Sequence, residues 1–158
     1  MINGSKVWDT YTGDTLQTLS HDHIVRSSDI SISQSLIATG GSEKILRVYD
    51  VNHGQTPTTV GSHTSTIKSV VWDRYGRNDK TIITSGDDKK IVWWDIRSNQ
   101  PSSSYATEEM ISSMEQTIDR KYITVTAGKT LLVFDSATYV SFWGISGLLF
   151  QPVGDHNS

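Results

Sequence analysis

A short apolar run that closes on an aromatic residue and an aspartate occurs four times in this chain. The fullest copy is Ser85-Gly86-Asp87-Asp88-Lys89-Lys90-Ile91-Val92-Trp93-Trp94-Asp95. Gly41-Ser42-Glu43-Lys44-Ile45-Leu46-Arg47-Val48-Tyr49-Asp50 is a second full copy. Lys6-Val7-Trp8-Asp9 is the tail of another, and Gly128-Lys129-Thr130-Leu131-Leu132-Val133-Phe134-Asp135 is a shortened one. The closing aspartates stand 41, 45 and 40 residues apart. A unit of that size cannot bury its own apolar face, so such repeats are stable only when stacked on one another.

A period near 40–45 residues with a Trp-Asp ending is the signature of WD40 repeats, the four-stranded blades of a β-propeller. The expected fold is all-β: a partial propeller of about three to four blades over residues 1–138. Residues 139–158 are an atypical tail without strand–turn rhythm, for which disorder is one reading. Two complete repeats, the tail of one before and most of one after, read as a segment of a larger propeller, since closure takes about four to eight blades.

Composition narrows the function classes. The formal charge of the 158 residues is −3, which gives no basic field for nucleic acid. Without cysteine there is no disulfide and no Cys-based zinc site. The first residues lack the apolar stretch of a signal peptide. The longest apolar run, Tyr139 to Phe150, is shorter than the roughly 20 residues a membrane helix needs. A soluble protein of cytoplasm and nucleus, without cofactor, is the expectation.

Each repeat reads as strands parted by turns. Asn3-Gly4 precedes the strand Lys6–Trp8, and Thr15–Leu19 follows. Val25–Ile32, Leu36–Thr39, Ile45–Tyr49 and Thr58–Val60 make the first full blade. Ile67–Trp72, Thr81–Thr84, Ile91–Trp94 and a strand near Tyr105 make the second. Ile111–Glu115, Tyr122–Val125 and Leu131–Phe134 belong to a degraded third repeat. Its last turn is two residues shorter when counted from the glycine (Gly86 to Asp95 is 9, Gly128 to Asp135 is 7).

One polar set recurs with the repeats. His21 and His63 stand four residues before Val25 and Ile67. Glu43 and Asp88 stand six before Tyr49 and Trp94, and Thr39 and Thr84 stand ten before them. A His, a Thr, an acid and an indole N–H can form one chain of hydrogen bonds, giving each buried polar group a partner. His63, Thr84, Asp88 and Trp94 are the intact set. In the other, with His21, Thr39 and Glu43, Tyr49 stands in for the indole. The third repeat has Phe134 and no acid, and makes no such chain. The same residue types suggest a catalytic triad, but the set recurs once per repeat, as structure does and a single active site does not. His21-Asp22-His23 has no third metal ligand at suitable spacing. Arg74, Tyr75, Arg77 and Lys80 could meet RNA phosphates and bases, yet Asp73 and Asp79 dilute their charge, and the loop reads as a solvated turn. Trp93 replaces Val7, Val48 and Val133 and reads as packing between blades. Partner contacts are expected on the rim loops: His23, Thr64, Ser65 and Thr66 before the first strands, and Ser42, Lys44, Asp87 and Lys89 in the turns before the Trp-Asp strands.

Several stretches also carry a resemblance: Lys6-Val7-Trp8-Asp9, Gly13-Asp14, His21-Asp22-His23-Ile24-Val25-Arg26, the Gly40–Asp50 run, Ser62-His63-Thr64-Ser65-Thr66-Ile67-Lys68 and Ile111-Ser112-Ser113-Met114-Glu115. Together, over about residues 4–136, they resemble the serine/threonine kinase receptor-associated (UNR-interacting) protein family. The resemblance implies a seven-bladed, non-enzymatic adaptor that joins the survival-of-motor-neuron complex in spliceosomal snRNP assembly. A related reading is the propeller subunit of translation initiation factor three; a third is a non-functional truncated fragment. No direct nucleic-acid or membrane partner is expected. Residues 1–9 and 135–158 offer no polar cap, so open blade edges predict self-association or poor solubility.

Overall fold

In a computed structural model of the chain, residues 4–53, 56–75, 79–146 and 149–151 are described. Asn3, Gly54, Arg77 and the tail residues 147, 148 and 152–158 lie outside them, and so do the expectations placed on them. The first sheet pairs β1 (Gly4–Trp8) with β2 (Thr15–Ser20). The second holds β3 (Val25–Ile30), β4 (Leu36–Gly41), β5 (Ile45–Asp50) and β6 (Thr58–Ser62) in antiparallel order. The third repeats that meander with β7 (Ile67–Trp72), β8 (Thr81–Gly86), β9 (Lys90–Asp95) and β10 (Gln100–Ala106). The fourth holds β11 (Ile111–Gln116), β12 (Tyr122–Ala127), β13 (Thr130–Asp135), β14 (Ser141–Ser146) and β15 (Leu149–Gln151). The second and third sheets are matching four-stranded meanders, as the period predicts; the fourth adds a fifth strand and the first has two among the described residues.

The side-chain period of two gives the third blade two apolar faces. Val70, Trp72, Ile82, Val92 and Trp94 pack on Ala38, Leu46, Val48 and Val60 of the second blade. Val71, Ile83, Ile91 and Trp93 pack on Met114, Ile123, Val125, Leu132 and Phe134 of the fourth. Trp93 is 1% exposed and lies edge-on to Phe134, so it packs between blades. Gly61 in β6 is glycine because the Trp94 ring of the next blade lies where a Cβ would stand.

Each inner strand carries a bulge at the same place, between Val25 and Ser27, Ile67 and Ser69, and Ile111 and Ser113. Gln34 and Arg120 occupy the same left-handed position of equal-length hairpins, with φ of 59° and 65°. These marks fix the alignment of the blades residue by residue.

Two expectations need correction. The tail does not begin at 139: β14 is the fourth strand of the last blade, paired with β13 from Thr130↔Ser146 to Phe134↔Ser141. Its Phe-Trp-Gly-Ile run hides the alternation because an apolar strand lacks polar punctuation. The shortened turn is one residue shorter, not two: Gly128-Lys129 replaces Asp87-Asp88-Lys89, because Ala127 and not Gly128 occupies the place of Gly86. The outward face of the fourth blade is mixed, with Ser113, Glu115, Thr124 and Thr126 of β11 and β12 beside Leu131 and Val133 of β13.

Candidate functional site: the blade hydrogen-bond chain and its rim

In the third blade the four polar residues converge. His63 follows β6, Asp88 sits in the turn between β8 and β9, and Thr84 and Trp94 are neighbours across those two strands. The Trp94 Nε1–H donates to Thr84 Oγ1 at 2.7 Å, and Thr84 Oγ1 lies 2.7 Å from His63 Nε2. His63 Nδ1 lies 2.9 Å and 3.0 Å from the two Asp88 oxygens. The carboxylate can only accept, so Nδ1 carries the proton. Nε2 then accepts from the threonine hydroxyl, and the neutral imidazole is the tautomer this chain requires. Burial pushes the Asp88 carboxyl up. Hydrogen bonds from His63 and from the Thr64 and Lys90 N–H groups outweigh it and hold the group below the usual carboxylate range. Thr84 is 0% exposed and both sides of its hydroxyl are taken, so it has no free face for a substrate. The chain ties the linker carrying His63 to the body of the blade.

The second blade does not repeat this chain. Glu43 accepts the backbone N–H groups of Asp22 and His23 with one oxygen and pairs with Arg47 through the other. The Tyr49 hydroxyl donates to the Ser20 carbonyl at 2.8 Å, with no bond to Thr39 among those of the second blade described. His21 meets Tyr49 edge-on at 5.5 Å, and its buried Nε2 has no hydrogen-bond partner. Burial lowers the His21 pKa; the pull of Glu43 and Asp22 opposes this, while Arg47 adds to it. The physical reason for the difference is Arg47, where the third blade has Val92: the guanidinium claims the acid and repels an imidazolium. Phenol also places its donor farther from the backbone than indole does.

In the fourth blade no member of the set is kept, and two of its positions are apolar. Val125 stands for Thr84 and Phe134 for Trp94, and Thr107 takes the place of His63. The Thr107 and His63 N–H groups make the same bond, to Lys89 O and Lys44 O at 2.8 Å each. A buried donor and its acceptor leave as a unit, since either alone is costly.

The rim loops gather at one end of the blades, because the start of each inner strand faces the turn between the second and third. The Ser42 N–H donates to Ile24 O, and Asp87 N–H to Thr66 O. His23, Lys44, Thr64 and Lys89 are exposed; Ser42, Ser65, Thr66 and Asp87 are half-buried. Asp87 pairs with Lys68 at 3.4 Å, and Lys89 Nζ donates to Glu108 O at 2.8 Å. Ile24 and Met110 add exposed apolar surface at equivalent rim positions.

At the opposite end lie polar latches between blades that the sequence reasoning missed. Asp29 Oδ1 takes Arg74 Nη2 at 2.6 Å, and Asp79 accepts the N–H groups of Ile32 and Ser33 at 2.7 Å and 3.0 Å. Gln116 Nε2 and the Tyr139 hydroxyl donate to buried Asp73 at 2.9 Å and 3.2 Å. Arg74 and Asp73 are thus interblade bonds rather than a basic RNA loop. The available signal was an acid at an inward strand position, Asp29 in Val25–Ile30, which burial demands be paired.

Comparison with known proteins agrees with this architecture. The family described as WD domain, G-beta repeat matches residues 13–50 and 54–95, half of the chain. Serine-threonine kinase receptor-associated protein of Gallus gallus is 36% identical over 135 residues, covering 85% of this chain and 37% of its own length. The Homo sapiens protein of that name is 37% identical over 134 residues, 84% of this chain and 37% of its own. Eukaryotic translation initiation factor 3 subunit I of Drosophila willistoni is 28% identical over 173 residues, 96% of this chain and 53% of its own. The chain therefore spans about two fifths of the receptor-associated proteins it matches. With repeats, blades and a blade hydrogen-bond chain in place, the protein belongs to the WD40 repeat family.

Proposed function

We propose that this chain is part of a non-enzymatic scaffold that binds proteins through the rim formed by His23, Ser42, Lys44, Thr64, Thr66, Asp87 and Lys89. The observation that carries the reading is the similarity to serine-threonine kinase receptor-associated proteins over 85% of the chain. Support comes from the polar chain of the third blade, whose hydroxyl is buried and fully bonded. In the finer form of the proposal, the parent protein joins the survival-of-motor-neuron complex in snRNP assembly and works in cytoplasm and nucleus. The test is binding of the purified protein to recombinant survival-of-motor-neuron complex, with the double variant His23→Ala/Lys44→Glu as the rim control. Binding that the variant weakens supports the reading; no binding overturns the finer form. A second reading, an adaptor of translation initiation factor three, is favoured by the 96% coverage in that comparison. Selective binding to that factor instead would establish it.

A further inference from the structure

The histidine of the second blade faces a small cavity where its counterpart in the third blade faces a hydroxyl. His21 is 9% exposed, and its Nε2 has no hydrogen-bond partner. His63 is 7% exposed, and its Nε2 lies 2.7 Å from Thr84 Oγ1. The second blade has kept the corresponding threonine: Thr39 stands where Thr84 stands and is 1% exposed. The two side chains do not meet, since nothing bonds to His21 Nε2. The Tyr49 hydroxyl, which turns to the Ser20 carbonyl, does not join them either, and the His21 ring stands edge-on to the phenol.

His21 and Thr39 line one cavity, together with Glu43, Gly40 and Gly41. Its volume is about 10 Å³, taken as the space open to the centre of a water-sized sphere. One water needs about 10–15 Å³ on that measure and two to four polar partners. An organic group does not fit such a space. The partners are present. Beside Nε2 and the threonine hydroxyl stands the Glu43 carboxylate, which accepts from the Asp22 and His23 N–H groups and pairs with Arg47. Those are three of the roughly four bonds a carboxylate takes. Glu43 and Arg47 neutralise each other, so the cavity asks for an uncharged occupant. A water both donates and accepts, and it therefore serves either tautomer of the ring. It also removes the penalty of a buried ring nitrogen left unpaired, which outweighs the entropy of holding one water.

We propose that the second blade completes its hydrogen-bond chain with one buried water, which bridges His21 Nε2 and Thr39 Oγ1 and has its third contact on Glu43. The water stands in for the direct bond that joins His63 to Thr84. The site lies inside the blade, so the proposal does not rest on the scaffold reading.

Oxygen-17 relaxation dispersion of the 158-residue chain counts its long-lived waters. Thr39→Val removes one partner of the bridge and should lower the amplitude by one water. Thr39→Ser keeps the hydroxyl and should leave the amplitude as it is. Near-UV circular dichroism checks that both variants are folded. A crystal structure of the wild type at about 2 Å resolution or better should show one ordered water about 2.7–3.2 Å from both Nε2 and Oγ1; this decides the matter if Thr39→Val does not fold. Equal amplitudes for the wild type and a folded Thr39→Val would overturn the proposal. So would density with no water at the site, a water that touches only one of the two atoms, or a direct bond from His21 to Thr39.

Discussion

Thr84→Val tests the hydrogen-bond chain most directly, because it removes one oxygen and leaves shape and volume nearly unchanged. In the wild type, Thr84 Oγ1 accepts from Trp94 Nε1 and lies within bonding distance of His63 Nε2, both at 2.7 Å. Valine there leaves an indole N–H and an imidazole nitrogen unpaired, at a site that is 0% exposed. Each buried group left without a partner costs about 1–3 kcal/mol, so the loss should be about 2–6 kcal/mol. The fourth blade shows that valine fits the position, as Val125, when its diagonal neighbour across the sheet is Phe134 rather than tryptophan. A double-mutant cycle with Trp94→Phe should therefore show coupling of about 1 kcal/mol or more, since deleting donor and acceptor together spares one orphan. Urea unfolding followed by far-UV circular dichroism reads both numbers. With a slope of about 1–3 kcal/mol per molar, the single variant should lower the midpoint by about 1 M or more. An unchanged midpoint for Thr84→Val, or strictly additive losses in the cycle, would show that the four residues do not act as a unit.

Further tests address other parts of the chain. The folded Asp88 carboxyl is held low, so it contributes stability that is present above its unfolded pKa and lost as pH falls through the folded one. The loss should begin below about pH 4, and Asp88→Asn should flatten that part of the urea-midpoint profile. His21 is also lowered, so the unfolded chain binds its proton first; stability should decline from about pH 6.5 downward, and His21→Leu should remove this earlier decline. Arg47→Val with Tyr49→Trp should rebuild the third-blade chain in the second blade and raise stability by about 1 kcal/mol, seen as a higher melting temperature; no gain would put the cause of the mismatch elsewhere. Gly61→Ala should push the Trp94 ring out of place, cost about 1–3 kcal/mol and weaken the near-UV circular dichroism.

What the sequence disclosed, and what it withheld, follows from where each residue finds its partner. Ile67–Trp72 was readable to the residue, because its β-branched and aromatic residues are bounded by the polar turns Ser62–Thr66 and Asp73–Lys80. The third-blade set was readable because all four members lie within one repeat at fixed offsets. Tyr49 was misread because the deciding residue, Arg47, looks like an ordinary exposed cation in the pattern Ile45-Leu46-Arg47. Asp29 and Arg74, or Asp73 and Tyr139, are bonds across blades, and no spacing within a repeat reveals them. Ser141–Ser146 was missed because an unpunctuated apolar run does not announce itself as a strand.

Two adjacent indoles in β9 have opposite fates. The Trp94 N–H is held by a hydroxyl, while the neighbouring Trp93 N–H is buried with no acceptor. In a nitrogen–proton spectrum the first should resonate downfield, as a bonded indole does, and the second upfield. The pair is then a natural two-colour reporter: exchange with deuterium at Trp94 times the opening of the face toward the second blade, and exchange at Trp93 times the face toward the fourth. One labelled amino acid would thus tell which side of the central blade yields first.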